Sequence, residues 1–112
     1  MTEPTEECTI VEIRTTFGDR AAAEACAGSL VRGRFAACVQ IDGPVASTYV
    51  WQGAVETAEE WRCTCKTTLG RAAACRAALV AAHPYDLPEV IEARVEASAA
   101  YAAWVRGSVG DA

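Results

Sequence analysis

The chain has 112 residues, of which 52% are hydrophobic, and its 15 acidic and 10 basic side chains give a net charge of −5. This length predicts one domain with a modest core. The negative charge and the lack of any run of Lys or Arg argue against nucleic acid or an anionic membrane as partner, and no stretch approaches the ~20 apolar residues that span a bilayer.

The first half of the chain predicts a strand, a helix and a long extended segment. Residues 9–15 alternate apolar and polar side chains with the period of a strand. Asp19 is a good N-cap, and residues 20–32 place apolar side chains at helical spacing behind it. Residues 35–55 are rich in Val, Thr, Tyr and Trp, and Gly43-Pro44 interrupts them. They predict one long bent strand or two strands in line.

The second half predicts two more strands and two helices. The predicted elements are a strand over 61–66, a helix over 69–82 capped by Thr68, a strand over 89–96 and a short helix capped by Ser98. The turn within residues 53–60 would join the second and third strands as a hairpin. Pro84 ends the second helix, because the residue before a proline avoids the α region.

The order of elements indicates the fold. Strand, helix, strand, strand, helix and strand form two βαβ-like halves, and right-handed crossovers place both helices on one face of a four-stranded antiparallel sheet. We therefore predict an α+β protein, a ferredoxin-like βαββαβ sandwich with an additional C-terminal helix. A single domain would cover residues 8–106, with flexible tails at 1–7 and 107–112. The other sheet face, with Trp and Tyr available to it, should be covered by another subunit.

The six cysteines are interpreted as free thiols or ligands. The N-terminus has no hydrophobic segment typical of a signal peptide, which favours the cytoplasm, where thiols stay reduced. No Cys-x-x-Cys pair is present. Cys63 and Cys65 share one face of a strand, where they are either soft-metal ligands or, as burial statistics favour, part of the core. Cys38 is either a buried structural thiol or a functional one.

Several motifs resemble one known family. They are AACVQ at 36–40, STYVWQG at 47–53, EWRCTCKT at 60–67, HPYDLPEVI at 83–91 and YAAW at 101–104. In their order and spacing they resemble the CutA divalent-cation tolerance family over nearly the whole chain. The resemblance implies a cytoplasmic homotrimer with PII-like trimeric architecture, linked to tolerance of copper and other divalent ions. At two positions that are copper ligands in some members, this chain has Thr15 and Ala82.

Metal binding is the first functional hypothesis. The candidate ligands are His83, Cys38 and Glu89. His83 alone makes a weak site, because closed metal sites take about four ligands, so a neighbouring subunit would share the site. The expected ion is copper or another divalent cation. The alternative for His83 is a histidine at a helix end that makes one backbone contact.

A small-ligand module is the second hypothesis. Clefts between subunits, lined by Trp51, Lys66, Tyr85 and Glu89, would serve PII-like ligand binding or signalling. The alternative is that these four residues form the trimer interface itself. The chain has neither a Gly-rich phosphate loop nor a Gly-x-Ser-x-Gly elbow, and it has a single histidine. We therefore expect no catalytic activity.

Overall fold

The computed structural model describes residues 6–110, whose elements follow the predicted order. The strands are β1 (Thr9–Phe17), β2 (Cys38–Trp51), β3 (Ala54–Thr67) and β4 (Ile91–Glu96); the helices are α1 (Arg20–Arg32), α2 (Ala72–Ala82) and α3 (Ala99–Ser108); and a 3₁₀ turn, Glu6–Cys8, precedes β1. The strands form one antiparallel sheet in the order β2-β3-β1-β4. The ferredoxin-like topology with an extra C-terminal helix is therefore confirmed.

The main core lies between the sheet and helices α1 and α2. Val11, Ile13 and Phe17, at alternate positions of β1, are buried against Leu30 of α1 and Leu79 of α2. Burying such a side chain contributes roughly 1.5–3 kcal/mol. The alternation of apolar and polar residues in β1 therefore decides which face of the sheet the two helices cover.

The three predicted capping residues all accept a backbone N–H. The donor–acceptor distances are 2.7 Å at Asp19, 3.1 Å at Thr68 and 3.2 Å at Ser98. At Thr68 the bond closes a turn that ends at Arg71, and α2 begins at Ala72, three residues later than predicted. The cap was recognised correctly, but the turn between cap and helix was missed.

The turn between β2 and β3 is shorter than predicted and begins one residue earlier. Residues 53–60 were expected to form it, whereas the structure has a two-residue turn at Gln52 and Gly53. Their φ angles of 50° and 82° lie in the left-handed region, as the type I′ hairpin turn requires. β3 consequently begins at Ala54, and residues that the sequence assigned to a loop belong to a long hairpin.

The distal part of this hairpin, residues 45–60, leaves the sheet, and we call it the arm. β1 pairs with β3 only over residues 61–67, so the arm has no third strand. Its exposed large apolar side chains are Tyr49, Val50, Trp51 and Val55. The arm joins the sheet after an irregularity in register between Asp42 and Val45, where the Gly43–Pro44 peptide is cis.

The second face of the sheet is partly covered by the chain's own third helix, and its burial by another subunit stays a prediction. α3 packs across one end of it, where Ile10 and Val105 are buried. Glu12 and Arg14, two and four residues beyond Ile10, continue the same face and form an ion pair. Trp61 packs against the main core on the other side. Trp61 therefore does not line this face, because strand alternation directs its side chain towards the helices.

The chain beyond the predicted domain end is tied to the fold. α3 continues to Ser108, and the N–H of Gly110 donates to the Arg34 carbonyl at 2.9 Å. Residues 1–5 and 111–112 of the predicted tails lie outside the described residues. Within residues 6–110, no helix has the length and apolar character needed to cross a bilayer.

Candidate functional site

His83, the single histidine, lies where α2 ends. Its ring stacks on Phe17 at the end of β1, with centroids 4.3 Å apart and planes inclined by 12°. Nε2 lies 2.8 Å from the Thr16 carbonyl oxygen, and Nδ1 lies 3.1 Å from the Tyr85 backbone nitrogen. A carbonyl oxygen only accepts and a backbone N–H only donates, so Nε2 carries the proton and Nδ1 is unprotonated. The geometry therefore selects the neutral ring and engages both of its nitrogens.

The electrostatics of His83 agree with this assignment. Burial lowers its pKa, while the hydrogen bond to Thr16 and the charge of Glu60 oppose that shift. The neutral ring is the form that binds metals, but a metal would have to displace a backbone partner. A hydrogen bond of this kind contributes about 0.5–1.5 kcal/mol net. Coordination by His83 is weakened by that amount.

Tyr85 connects the loop after α2 to the base of the arm. Its hydroxyl donates to Glu60 Oε2 at 3.0 Å, and the Glu60 residue is only 9% exposed. Burial, the hydrogen bond and the charge of Glu60 raise the pKa of Tyr85 to about 12, so the phenol stays protonated. A Cβ at Gly18 would lie 3.0 Å from the Tyr85 oxygen, so glycine there leaves room for the phenol. We call His83, Tyr85 and Glu60 the loop network.

The structure does not bring the predicted metal ligands together within one chain. Cys38 lies opposite Lys66, which lies opposite Glu12 of β1. His83 contacts Thr16, four residues and therefore about 13 Å further along β1. Glu89 is exposed in the segment before β4. Within residues 6–110, no three His, Cys, Asp or Glu side chains are grouped so that they could hold a metal ion.

The predicted cleft residues are also far apart within one chain. Trp51 pairs with Ala54 at the tip of the arm. Ala54 precedes Lys66 by twelve residues on β3, so Trp51 and Lys66 lie about 40 Å apart along the strand. Lys66 instead places its Nζ 5.6 Å from the centre of the Tyr101 ring, under α3. Tyr85 bonds Glu60, between these two points. A cleft containing all four predicted residues, Glu89 included, remains a prediction that requires several chains.

Two site residues escaped the sequence interpretation. Glu60 was placed in a turn, and the contact of Phe17 with His83 joins segments far apart in sequence. No local signal identifies Glu60, because residues 54–60 do not alternate apolar and polar side chains as a half-buried strand would. No local signal announces the Phe17 contact, since it depends on how α2 is placed on the sheet.

The charge state of His83 predicts how stability depends on pH. Its folded pKa lies below the ordinary value of 6.5, so just below pH 6.5 the unfolded chain binds a proton that the folded chain excludes. The contribution of His83 to the free energy of unfolding is therefore largest above pH 6.5 and decreases as the pH falls below that value. Urea unfolding at pH 7.5 and 5.5 should show this decrease in the wild type and a smaller one in His83→Asn. Asparagine can still accept the Tyr85 N–H but does not titrate; equal decreases in both proteins would contradict the assignment.

Known proteins resemble this chain in both sequence and structure. A family model described as "CutA1 divalent ion tolerance protein" matches residues 11–108. The divalent-cation tolerance protein CutA of Pectobacterium atrosepticum is 33% identical over 103 residues, which are 91% of this chain and 94% of that protein. The CutA protein of Thermus thermophilus is 35% identical over 89 residues, 79% of this chain and 86% of that one.

Solved structures show the same likeness. CutA from Xylella fastidiosa superposes with a TM-score of 0.87 and 35% identity, covering 90% of this chain and 98% of that chain. CutA1 from Oryza sativa gives a TM-score of 0.90 and 28% identity, covering 96% and 100%.

The class of the protein is thus a ferredoxin-like α+β sandwich of the PII-like kind. The chain belongs to the CutA1 divalent ion tolerance family, which confirms the resemblance seen in the sequence. The names of its relatives describe tolerance of divalent cations rather than a catalysed reaction.

Proposed function

We propose that this chain functions as a cytoplasmic homotrimer in the tolerance of divalent cations, copper among them, and that it is not an enzyme. Cations bind weakly at or near subunit interfaces, with ligands drawn from His83, Cys38 and Glu89. Membership of the family supports the role in tolerance. The arm is the observation that carries the proposal of assembly.

The arm is poorly stabilised by its own chain. A two-stranded hairpin is marginally stable in water without a third strand or a packed face. Val50 and Val55 face each other across the arm and are 71% and 74% exposed, with Tyr49 and Trp51 close by. Covering these side chains with a second copy would remove apolar surface from water and supply pairing for the arm. The number three follows the resemblance to the trimeric family.

Assembly also explains why cation binding is assigned to the interfaces. Cys38 and His83 are separated along β1 by about 13 Å within one chain, so a site that uses both needs residues from neighbouring chains. Their joint binding should be weak, because each nitrogen of His83 already has a backbone partner. The exposed carboxylate of Glu89 suits a hard or borderline cation.

Calorimetric titration with Zn(II) and Cu(II) tests this proposal. The wild type should bind each ion weakly at pH 7.5, and His83→Ala should weaken binding about tenfold, the effect of losing ~1.4 kcal/mol. Glu89→Gln should also weaken binding, whereas its matched control Glu24→Gln, at an exposed glutamate of α1, should leave binding unchanged. Absence of heat from the wild type, or equal affinities in His83→Ala and the wild type, would remove the proposed site.

A further inference from the structure

Glu60, the acidic member of the loop network, is a buried carboxylate without a cation. The residue is 9% exposed, and none of the ion pairs formed within residues 6–110 includes it. Its carboxylate accepts one hydrogen bond within those residues, from the Tyr85 hydroxyl to Oε2 at 3.0 Å. Buried carboxylates are nearly always paired with a positive charge, because removing an ion from water is costly. Glu60 therefore lacks its counter-charge in the single chain.

The second carboxylate oxygen of Glu60 is open to a ligand. Among the buried and half-buried residues of 6–110, Thr15 Oγ1 is the one enclosed side-chain oxygen or nitrogen without a partner. Glu60 Oε1 also forms no hydrogen bond there, so it retains contact with solvent. β1 ends where Phe17 pairs with Trp61, so Glu60 is the first residue of β3 without a β1 neighbour. A small group can thus reach Oε1 beyond the end of β1.

Aromatic rings accompany this carboxylate. The Tyr85 ring is 38% exposed and is held by its hydroxyl bond and by the His83 ring, whose centre is 4.8 Å away. Tyr49, also exposed, lies further out on the face of the arm that carries Glu60, because Val45 pairs with Glu60 and strand alternation returns Tyr49 to the same side. Cations are attracted to the faces of such rings. A carboxylate beside an exposed phenol ring suits an organic cation.

The surroundings supply no positive charge to Glu60. Residues 45–60 contain three glutamates and no Lys, Arg or His. Arg62, two residues beyond Glu60 on β3, forms its ion pair with Asp42, at 3.4 Å. The base of the arm is therefore negative and attracts cations. Within the described part of the chain no three His, Cys, Asp or Glu side chains are grouped as a metal ion requires, which favours an organic cation over a metal.

We propose that Glu60 and Tyr85 form a binding site for a guanidinium group. A guanidinium is planar and always charged, so it donates to Glu60 Oε1 while its face stacks on the Tyr85 ring. The group belongs either to a small molecule or to an arginine of a second copy of this chain. Both residues of the site come from one chain, so the proposal does not rest on the proposed function.

NMR titration of the full chain with n-butylguanidinium tests the site. The wild type should bind this cation, with intermolecular NOEs to the Tyr85 ring, and should not bind n-butylurea, which has a similar shape without the charge. Glu60→Gln should weaken binding at least tenfold, because a hydrogen bond to a charged acceptor is lost. Glu59→Gln is the matched control and should bind as the wild type does, since Glu59 is exposed on the opposite face of the arm.

Light scattering on dilution distinguishes the two sources of the guanidinium. If an arginine of a second copy fills the site, the assembled wild type excludes the probe, and Glu60→Gln should dissociate at least tenfold more readily than the wild type and Glu59→Gln. If the ligand is a small molecule, Glu60→Gln binds the probe weakly and keeps the wild-type mass. Glu60→Asp, which withdraws the charge by one methylene, replaces Glu60→Gln in both measurements if the latter does not fold.

Three results would overturn the proposal. They are probe binding that survives the change at Glu60, equal binding of n-butylurea, and failure of the wild type to bind the probe together with unchanged assembly of the Glu60 variant. The cation site of the proposed function is measured with Zn(II) and Cu(II) through His83, so each proposal can fail separately.

Discussion

Replacing Val50 and Val55 together with glutamate should convert the assembled protein into monomers. The two valines are directly opposed on the arm and highly exposed in the single chain. Glutamates there would meet water in the monomer, but an interface would have to bury two like charges without partners, at a cost of several kcal/mol. Light scattering after size exclusion should give three times 11.8 kDa for the wild type and 11.8 kDa for the variant.

A matched variant on the helices provides the control. Val31 of α1 and Val80 of α2 are also exposed, at 41% and 46%, but lie on the outer layer rather than on the arm. Val31→Glu/Val80→Glu adds the same charge and should keep the wild-type mass. A wild-type mass for the arm variant, or a monomeric wild type, would show that the arm does not hold copies together.

Two buried threonines should respond in opposite directions to the same substitution. Thr15 and Thr67 are both fully buried. The Thr15 hydroxyl has no partner within residues 6–110, whereas Thr67 Oγ1 donates to the Phe35 carbonyl at 2.7 Å. Thr15→Val should therefore raise the free energy of unfolding by about 1–2 kcal/mol, and Thr67→Val should lower it by about 1–3 kcal/mol.

Urea unfolding at pH 7.5 and constant protein concentration measures both changes. Valine has nearly the shape of threonine and favours strands, so each variant isolates the hydroxyl. The Thr15→Val and Thr67→Val variants serve as controls for each other, because both residues face the helices from neighbouring strands. A loss of stability in Thr15→Val would show that its hydroxyl is satisfied in solution.

Local sequence patterns predicted most of the elements. Period-two alternation placed β1 and β4, and α1 was predicted with the bounds that the structure shows. Asp19, Thr68 and Ser98 were recognised because a short polar side chain that accepts a backbone N–H is a strictly local interaction. Such features depend on a few neighbouring residues, so they can be predicted without the fold.

The hairpin shows where local reasoning failed. Glutamates and alanines from 54 to 60 have weak strand propensity, which favoured a loop. The structure makes this segment a strand because the turn at Gln52 and Gly53 sets the register and β2 supplies the pairing partner. Glu60 consequently became a buried partner of Tyr85 rather than a turn residue.

By itself the sequence determined the order of the elements, the buried face of β1, the capping residues and the family. These features depend on local periodicity and on motifs within continuous segments of the chain. Only the tertiary structure decided which side chains meet. His83 bonds Thr16, 67 positions away, and Tyr85 bonds Glu60, 25 positions away. Such contacts depend on how helices settle on the sheet, where many weak packing terms act together. No single segment of the chain carries that information.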